Sequence, residues 1–242
     1  KQFGINNDRE YLVVLDDVKS TANPVRLHDY SFLLHGPNEQ YSRSGDTYTW
    51  TVKNPDNETI VLKGMTVSGS ALSYVTRKWY HVFPFHYNVL PHTRLSINIT
   101  DSSRAVFGTA LIPYKNTELS PTLVKKSGTN GSLGIEMTLD NKRDLIIINP
   151  NATRVTLDTV ETDAWFTFVR FTNNNLDKAT VKQGSFLSVD GRGLVQSPQK
   201  LGYHIGEMVN GSFVVRASSG GGVSTPTPTS TNTPVSPSPS PS

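Results

Sequence analysis

Two ionisable side chains end neighbouring apolar segments near the start of the chain. Asp16 closes the run LVVLD, and His35 closes the run SFLLH. A carboxylate oxygen and an imidazole nitrogen are two of the ligands that proteins use to bind zinc. Residues two apart in a strand share a face, so Asp16 lies with Val14 and His35 with Leu33. If the two strands pair as a hairpin, the two groups approach each other. A hydrogen-bonded polar pair is the alternative interpretation.

A second candidate site is the aromatic and histidine-rich segment WYHVFPFHYNVLPH. Trp79 and Tyr80 offer aromatic faces on which a sugar ring can stack, whereas His81 and His86 offer proton-transfer groups. We predict these four residues to be substrate-binding and assign no catalytic residue. In the alternative interpretation, the aromatic rings cover a sheet face and the histidines lie at its solvent edge.

Several classes of site are excluded by the sequence itself. It contains no GxSxG, P-loop or HExxH motif, which argues against a self-contained hydrolase or nucleotide-binding protein. It also contains no cysteine, so it forms neither disulfides nor thiolate metal sites.

Composition limits the partners of the chain. Of its 242 residues 36% are hydrophobic, and no apolar run approaches the roughly 20 residues of a transmembrane helix. We therefore predict no membrane span. The net charge of +3 is a mild basic excess, and Lys and Arg are scattered. This pattern argues against a nucleic-acid partner but is compatible with an acidic polymer.

The chain reads as β-structure from about residue 10 to residue 216. Short runs such as DTYTWTVKN and AWFTFVRFT are rich in β-branched and aromatic residues and are separated by turn signals. Tyr48, Trp50 and Val52 alternate with polar residues, which is typical of half-buried strands in stacked antiparallel sheets. We predict one all-β domain over residues 1–218, a large antiparallel β-sandwich of the supersandwich type. Two small immunoglobulin-like domains are the alternative.

The two ends of the chain suggest a longer protein. Residues 219–242 carry no charge and no aromatic residue, and Pro alternates with Ser or Thr. Such a segment is expected to be a disordered, extended linker. Linkers of this kind are typical of bacterial proteins that are secreted or held at the cell surface, so we expect a further module after residue 242. The strand pattern begins without an initiating Met or a leader sequence, and we expect the natural start to lie upstream.

The order of several segments resembles that of a known family. REYLVVLDDV followed by HDYSFLLHG resembles the start of the C-terminal sheet domain of the heparinase II/III family of polysaccharide lyases. SGTNGSLGIEMTLDNKRDLIIIN, TDAWFTFVRFTNNN and KQGSFLSVDGRGL follow in a similar order. The similarity spans roughly residues 10–216 and consists of loosely spaced patterns.

The resemblance implies a structural zinc. In that family an Asp ending an apolar strand and a His ending the next aromatic strand help to bind the metal, and Asp16 and His35 occupy these positions. The third ligand is a His from an earlier strand. No histidine precedes His28 in this sequence, so we expect the third ligand upstream of residue 1. Asp17 then lies on the opposite face of its strand, and His28 packs beside Tyr30.

The resemblance also implies an activity. It identifies the chain as the C-terminal β-sandwich domain of a secreted polysaccharide lyase, a carbon-oxygen lyase that cleaves uronic-acid-containing polysaccharide by β-elimination. The family carries its Tyr and His catalytic groups mainly on an upstream α/α toroid, so we predict that this chain alone is inactive. The alternative is a non-catalytic carbohydrate-binding or cell-surface structural β module.

Overall fold

The computed structural model describes residues 2–3, 10–22, 26–37, 40–82 and 89–219. These form strands joined by turns and loops, with one short 3-10 helix at Thr129–Gly131. The predicted linker lies outside the described residues apart from Ser219. The strands are β1 (Gln2–Phe3), β2 (Tyr11–Lys19), β3 (His28–Pro37), β4 (Tyr41–Ser44), β5 (Thr47–Lys53), β6 (Thr59–Val67), β7 (Ser73–Val82), β8 (Val89–Ser102), β9 (Arg104–Lys115), β10 (Thr122–Ser127), β11 (Leu133–Leu139), β12 (Lys142–Ile148), β13 (Val155–Leu157), β14 (Val160–Thr162), β15 (Phe166–Thr172), β16 (Asn175–Val189), β17 (Arg192–Val209) and β18 (Ser212–Ser219).

The strands form three sheets, and every pairing in the described residues is antiparallel. A six-stranded sheet has the order β1-β2-β9-β6-β5-β4, and a three-stranded sheet has the order β3-β8-β7. A nine-stranded sheet has the order β10-β11-β12-β15-β16-β14-β13, with β17 beside β16 and β18 beside β17. The all-β antiparallel prediction is confirmed. No helix in the described part of the chain is long and apolar enough to cross a membrane.

The six-stranded sheet is the middle of three layers. Along β9, Val106 and Ala110 are buried in a core shared with the nine-stranded sheet. The alternate residues Ala105 and Phe107 are buried in a core shared with the three-stranded sheet. Because successive side chains of a strand point to opposite faces, β9 packs against a different sheet on each side.

A polar cluster ties the six-stranded sheet to the nine-stranded one. Asp144 of β12 accepts two hydrogen bonds from Arg170 of β15, at 2.8 and 2.7 Å, and one from the Tyr11 hydroxyl of β2, at 2.6 Å. All three residues are at most 3% exposed. Burial and the neighbouring carboxylate raise the pKa of Tyr11, so its hydroxyl stays protonated and remains a donor.

The core beneath the three-stranded sheet is aromatic. Phe32 of β3 stacks on Phe107 of β9, with ring centroids 6.0 Å apart. Trp50 of β5 is 2% exposed and packs against Tyr48, with centroids 5.5 Å apart. A Cβ at Gly36 would lie 2.4–2.7 Å from the Trp50 ring. Position 36 therefore has room only for glycine, which lets β3 approach the indole closely.

The other face of the nine-stranded sheet is buried by its own strands. Leu145 and Ile147 belong to a second core that also contains Leu157 and Val160 from the β13-β14 hairpin. Because both faces of β12 are covered, the residues from Leu145 to Ile148 are all 0% exposed. This burial explains why β12 reads as a continuous apolar run rather than an alternating one.

This second core also contains a buried histidine, His204 of β17. It lies in register with the core residue Val181 of β16 and is 2% exposed. Neither ring nitrogen has a hydrogen-bond partner among the described residues. Desolvation by burial therefore lowers the pKa of His204 below its usual value.

His204 should make the stability of the domain depend on pH. As pH falls, the unfolded state binds a proton at His204 first, because its His pKa is near 6.5 whereas the pKa in the folded state is lower. The contribution of neutral His204 to the free energy of unfolding is therefore fully present above pH 6.5. It is lost as pH drops toward the lowered pKa of the folded state. One such group can cost up to about 1.4 kcal/mol per pH unit. In urea denaturation between pH 7 and 5, we expect His204→Leu to lose less stability than wild type. The exposed His28→Gln should follow wild type, and a His204→Leu profile as steep as wild type would contradict the assignment.

Candidate functional site: a cationic face on the three-stranded sheet

The outer face of the three-stranded sheet is the side turned away from the six-stranded sheet. Leu34 of β3 is in register with Leu95 of β8, and both pack into the core beneath the sheet. The neighbouring positions, His35 and Arg94, therefore point outward. Arg77 of β7 is in register with Arg94 and shares this orientation.

Three cationic or titratable residues form one row across the outer face. His35 lies directly opposite Arg94, which lies directly opposite Arg77. Strands about 4.8 Å apart place the three backbone positions across roughly 10 Å. His35 and Arg77 are exposed, and Arg94 is half-buried. The ring of His92, from the next row, lies 5.0 Å from that of His35, centroid to centroid.

The two rows that follow the cationic row toward Ser31 are polar and apolar. Ser31 donates a hydrogen bond to Asn98 at 2.7 Å. Between this pair and the cationic row lie Leu33 and Val75, which are 48% and 41% exposed and flank Ser96. No Asp or Glu occupies a position in register with these residues on the three described strands.

The row brings two like charges directly opposite each other on the sheet. Like charges directly opposite each other on a sheet are destabilising. Arg77 and Arg94 are such a pair, and His35 becomes a third cation when it is protonated. An anion bound across the row would accept charge-assisted hydrogen bonds from the guanidinium groups. The arrangement is therefore suited to carboxylate or sulfate groups.

The structure separates the two predicted metal ligands into different sheets. Asp16 lies on β2, in register with Phe107 of β9 in the six-stranded sheet, whereas His35 lies on β3 in the three-stranded sheet. The two strands do not pair as a hairpin, so the condition under which Asp16 and His35 would approach each other is not met. β3 carries Tyr30 and Phe32 on one face, and these rings pack over the six-stranded sheet. β3 therefore covers the face of that sheet instead of adding a strand to its edge.

The described residues do not by themselves make a zinc site. No group of three or more His, Asp or Glu side chains able to hold a metal ion occurs among them. Asp17, one residue after Asp16, is instead held in a bidentate ion pair with Arg104, at 2.8 and 2.6 Å. The zinc implied at Asp16 and His35 stays a prediction.

The predicted sugar-binding residues fall partly outside the described residues. The backbone of β7 places Trp79 in register with His92 and His81 two positions further on, so both occupy outer-face positions. Tyr80 lies between these two residues in the strand and therefore occupies a position on the opposite face of β7. The side chains of these three residues, and the whole of His86, lie outside the described part of the chain.

Sequence reasoning missed the two arginines that define the row. Arg77 occurs in the segment VTRKWY and Arg94 in PHTRLS, where each looks like an ordinary exposed strand residue. Only the pairing of β7, β8 and β3 brings them together with His35. The one available signal was that both segments flank the predicted aromatic segment.

Comparison with known proteins does not assign this chain to a family. No protein-family model matches the chain, and no curated protein is a significant match to it.

Proposed function

We propose that the outer face of the three-stranded sheet binds an acidic polysaccharide. The observation that carries this proposal is the row His35-Arg94-Arg77, which concentrates positive charge beside two described rows that contain no Asp or Glu. Electrostatic complementarity of this kind gives both specificity and a faster association rate.

The shape and chemistry of the face favour a polymer of sugars. The outer-face positions of β3 and β7 in this region are exposed, so they can contact an extended chain. Exposed Leu33 and Val75 offer apolar contact for ring C–H groups, while Ser31 and Asn98 offer hydrogen bonds to hydroxyls. Carboxylate or sulfate groups of the polymer would lie over Arg94 and Arg77.

The proposed function is binding of the polysaccharide, not its cleavage. We also propose that the protein acts outside a bacterial cell, because the Pro/Ser/Thr-rich composition of residues 219–242 is typical of secreted or surface proteins. Membership of the heparinase II/III family, with β-elimination and a structural zinc, stays a prediction based on resemblance. The binding proposal does not require lyase activity, so it is compatible with a non-catalytic carbohydrate-binding module as well as with a lyase domain.

Retention on polysaccharides tests the proposal. In affinity electrophoresis, we expect polygalacturonate, alginate or heparin to retard the chain and neutral dextran to leave its mobility unchanged. Because the contacts are exposed and ionic, retention should weaken at least about threefold between 50 and 200 mM NaCl. Equal retention by dextran, or retention independent of salt, would rule out charge recognition at this face.

A further inference from the structure

A cleft of about 190 Å³ lies between β2 and strands β15–β17. It lies between the six-stranded and nine-stranded sheets, whereas the outer face belongs to the three-stranded sheet. Its lining includes Leu15, Trp165, Phe166, Tyr203, Thr180 and Lys182. The lining therefore combines three aromatic rings with the hydroxyls of Thr180 and Tyr203 and one ammonium group, which is the general composition of a small-molecule site.

The indole of Trp165 is held in place on this lining. Hydrogen bonds from Arg104 are the main reason why the pKa of Asp17 is lowered, and the nearby Trp165 side chain contributes to a smaller extent. Trp165 also packs against the core between the two sheets. A ring held by packing against a core is a preorganised stacking surface.

Lys182 supplies the charge of the cleft. It lies in register between Phe166 of β15 and Tyr203 of β17, with its ammonium group 5.8 Å from the centre of the Trp165 ring. The side chain is exposed and makes no ion pair with any described carboxylate. The cleft thus presents a cation beside an aromatic wall.

We infer that this cleft binds a single acidic sugar ring, either free or at the end of a chain. At about 190 Å³ the cleft is smaller than the roughly 300–1,000 Å³ pockets of drug-sized ligands, so it fits one ring. Trp165 and Tyr203 stack on the ring, and Lys182 pairs with its carboxylate. The hydroxyls of Thr180 and Tyr203 favour a polyhydroxylated ring over a hydrocarbon one. This site does not rest on the proposed function of the outer face.

Saturation-transfer NMR and calorimetry with glucuronate, glucose and benzoate test the inference on the whole chain. We expect glucuronate to bind at least about tenfold more tightly than glucose or benzoate, because only glucuronate has both the carboxylate and the hydroxyls. Lys182→Met, which keeps the aliphatic stem, should remove this preference over glucose. Lys178→Met, four residues earlier on β16 and outside the lining of the cleft, should retain it.

Two further measurements distinguish a free sugar from a chain end as the ligand, and the cleft from the outer face as the binding site. Equal binding of glucuronate and of a disaccharide that ends in glucuronate would show that the cleft accepts chain ends, whereas binding of the monosaccharide alone would restrict it to free sugars. Both results support the inference. Arg77→Gln/Arg94→Gln should leave glucuronate affinity unchanged. Failure to bind glucuronate, stronger binding of benzoate, or no effect of Lys182→Met would overturn it.

Discussion

Replacing Arg170 by Met should destabilise the domain by about 3–5 kcal/mol, because it leaves a carboxylate buried without its cation. Asp144 is 1% exposed and accepts both strong hydrogen bonds of the Arg170 guanidinium. After the substitution, only the Tyr11 hydroxyl would remain as a described donor to this carboxylate. The loss should appear as a lower denaturation midpoint in guanidinium chloride or urea.

A second Asp–Arg pair in the chain is the natural control. Asp17 and Arg104 have the same bidentate geometry, but their side chains are 23% and 35% exposed. Exposed pairs contribute little, so Arg104→Met should cost about 1 kcal/mol or less. The double variant Asp144→Leu/Arg170→Met should recover part of the stability lost in Arg170→Met. Equal effects of Arg170→Met and Arg104→Met would contradict the burial argument.

Trp50→Ala is expected to have the next largest effect, a loss of about 3–5 kcal/mol. The indole is 2% exposed and packs against Tyr41 and Tyr48, with centroids 5.2 and 5.5 Å away. It also fills the space over Gly36, the neighbour of His35. Its removal should therefore loosen β3 and with it the outer face.

Hydrogen exchange and chemical denaturation together test this prediction. We expect Trp50→Ala to lower the free energy of unfolding and to increase amide exchange in β3 and β8 more than in β12 and β15. Trp50→Phe keeps an aromatic ring and should cost less than half as much. A loss below about 1 kcal/mol for Trp50→Ala would mean that the three-stranded sheet does not depend on this ring.

Alternation along the chain was sufficient to predict strands and their buried faces. Tyr48 and Trp50 were predicted to share a face, and both are buried in the same core. Val52 was assigned to that face too, but it is 42% exposed near the end of β5. Period-two patterns identify a face of a strand but not how far the covering sheet extends.

The candidate site was harder to predict because alternation does not identify the partner of a strand. β2 and β3 are adjacent in sequence and look like a hairpin, yet β2 pairs with β9 and β3 with β8. His35 meets Arg94 only through this long-range pairing. The aromatic segment beginning at Trp79 drew attention to the right strand, whereas the arginines on either side of it carry the proposed site.

The most direct test of the central claim is to measure how tightly an oligogalacturonate binds to a variant that lacks the two arginine charges of the outer face. By titration calorimetry, we predict that Arg77→Gln/Arg94→Gln weakens binding by at least about tenfold, since it removes two charge-assisted contacts. Lys53→Gln/Lys200→Gln removes the same charge from exposed positions on the other two sheets and should change affinity less than about twofold. Equal weakening by the two double variants would show that binding follows net charge alone, and would contradict a site on the outer face.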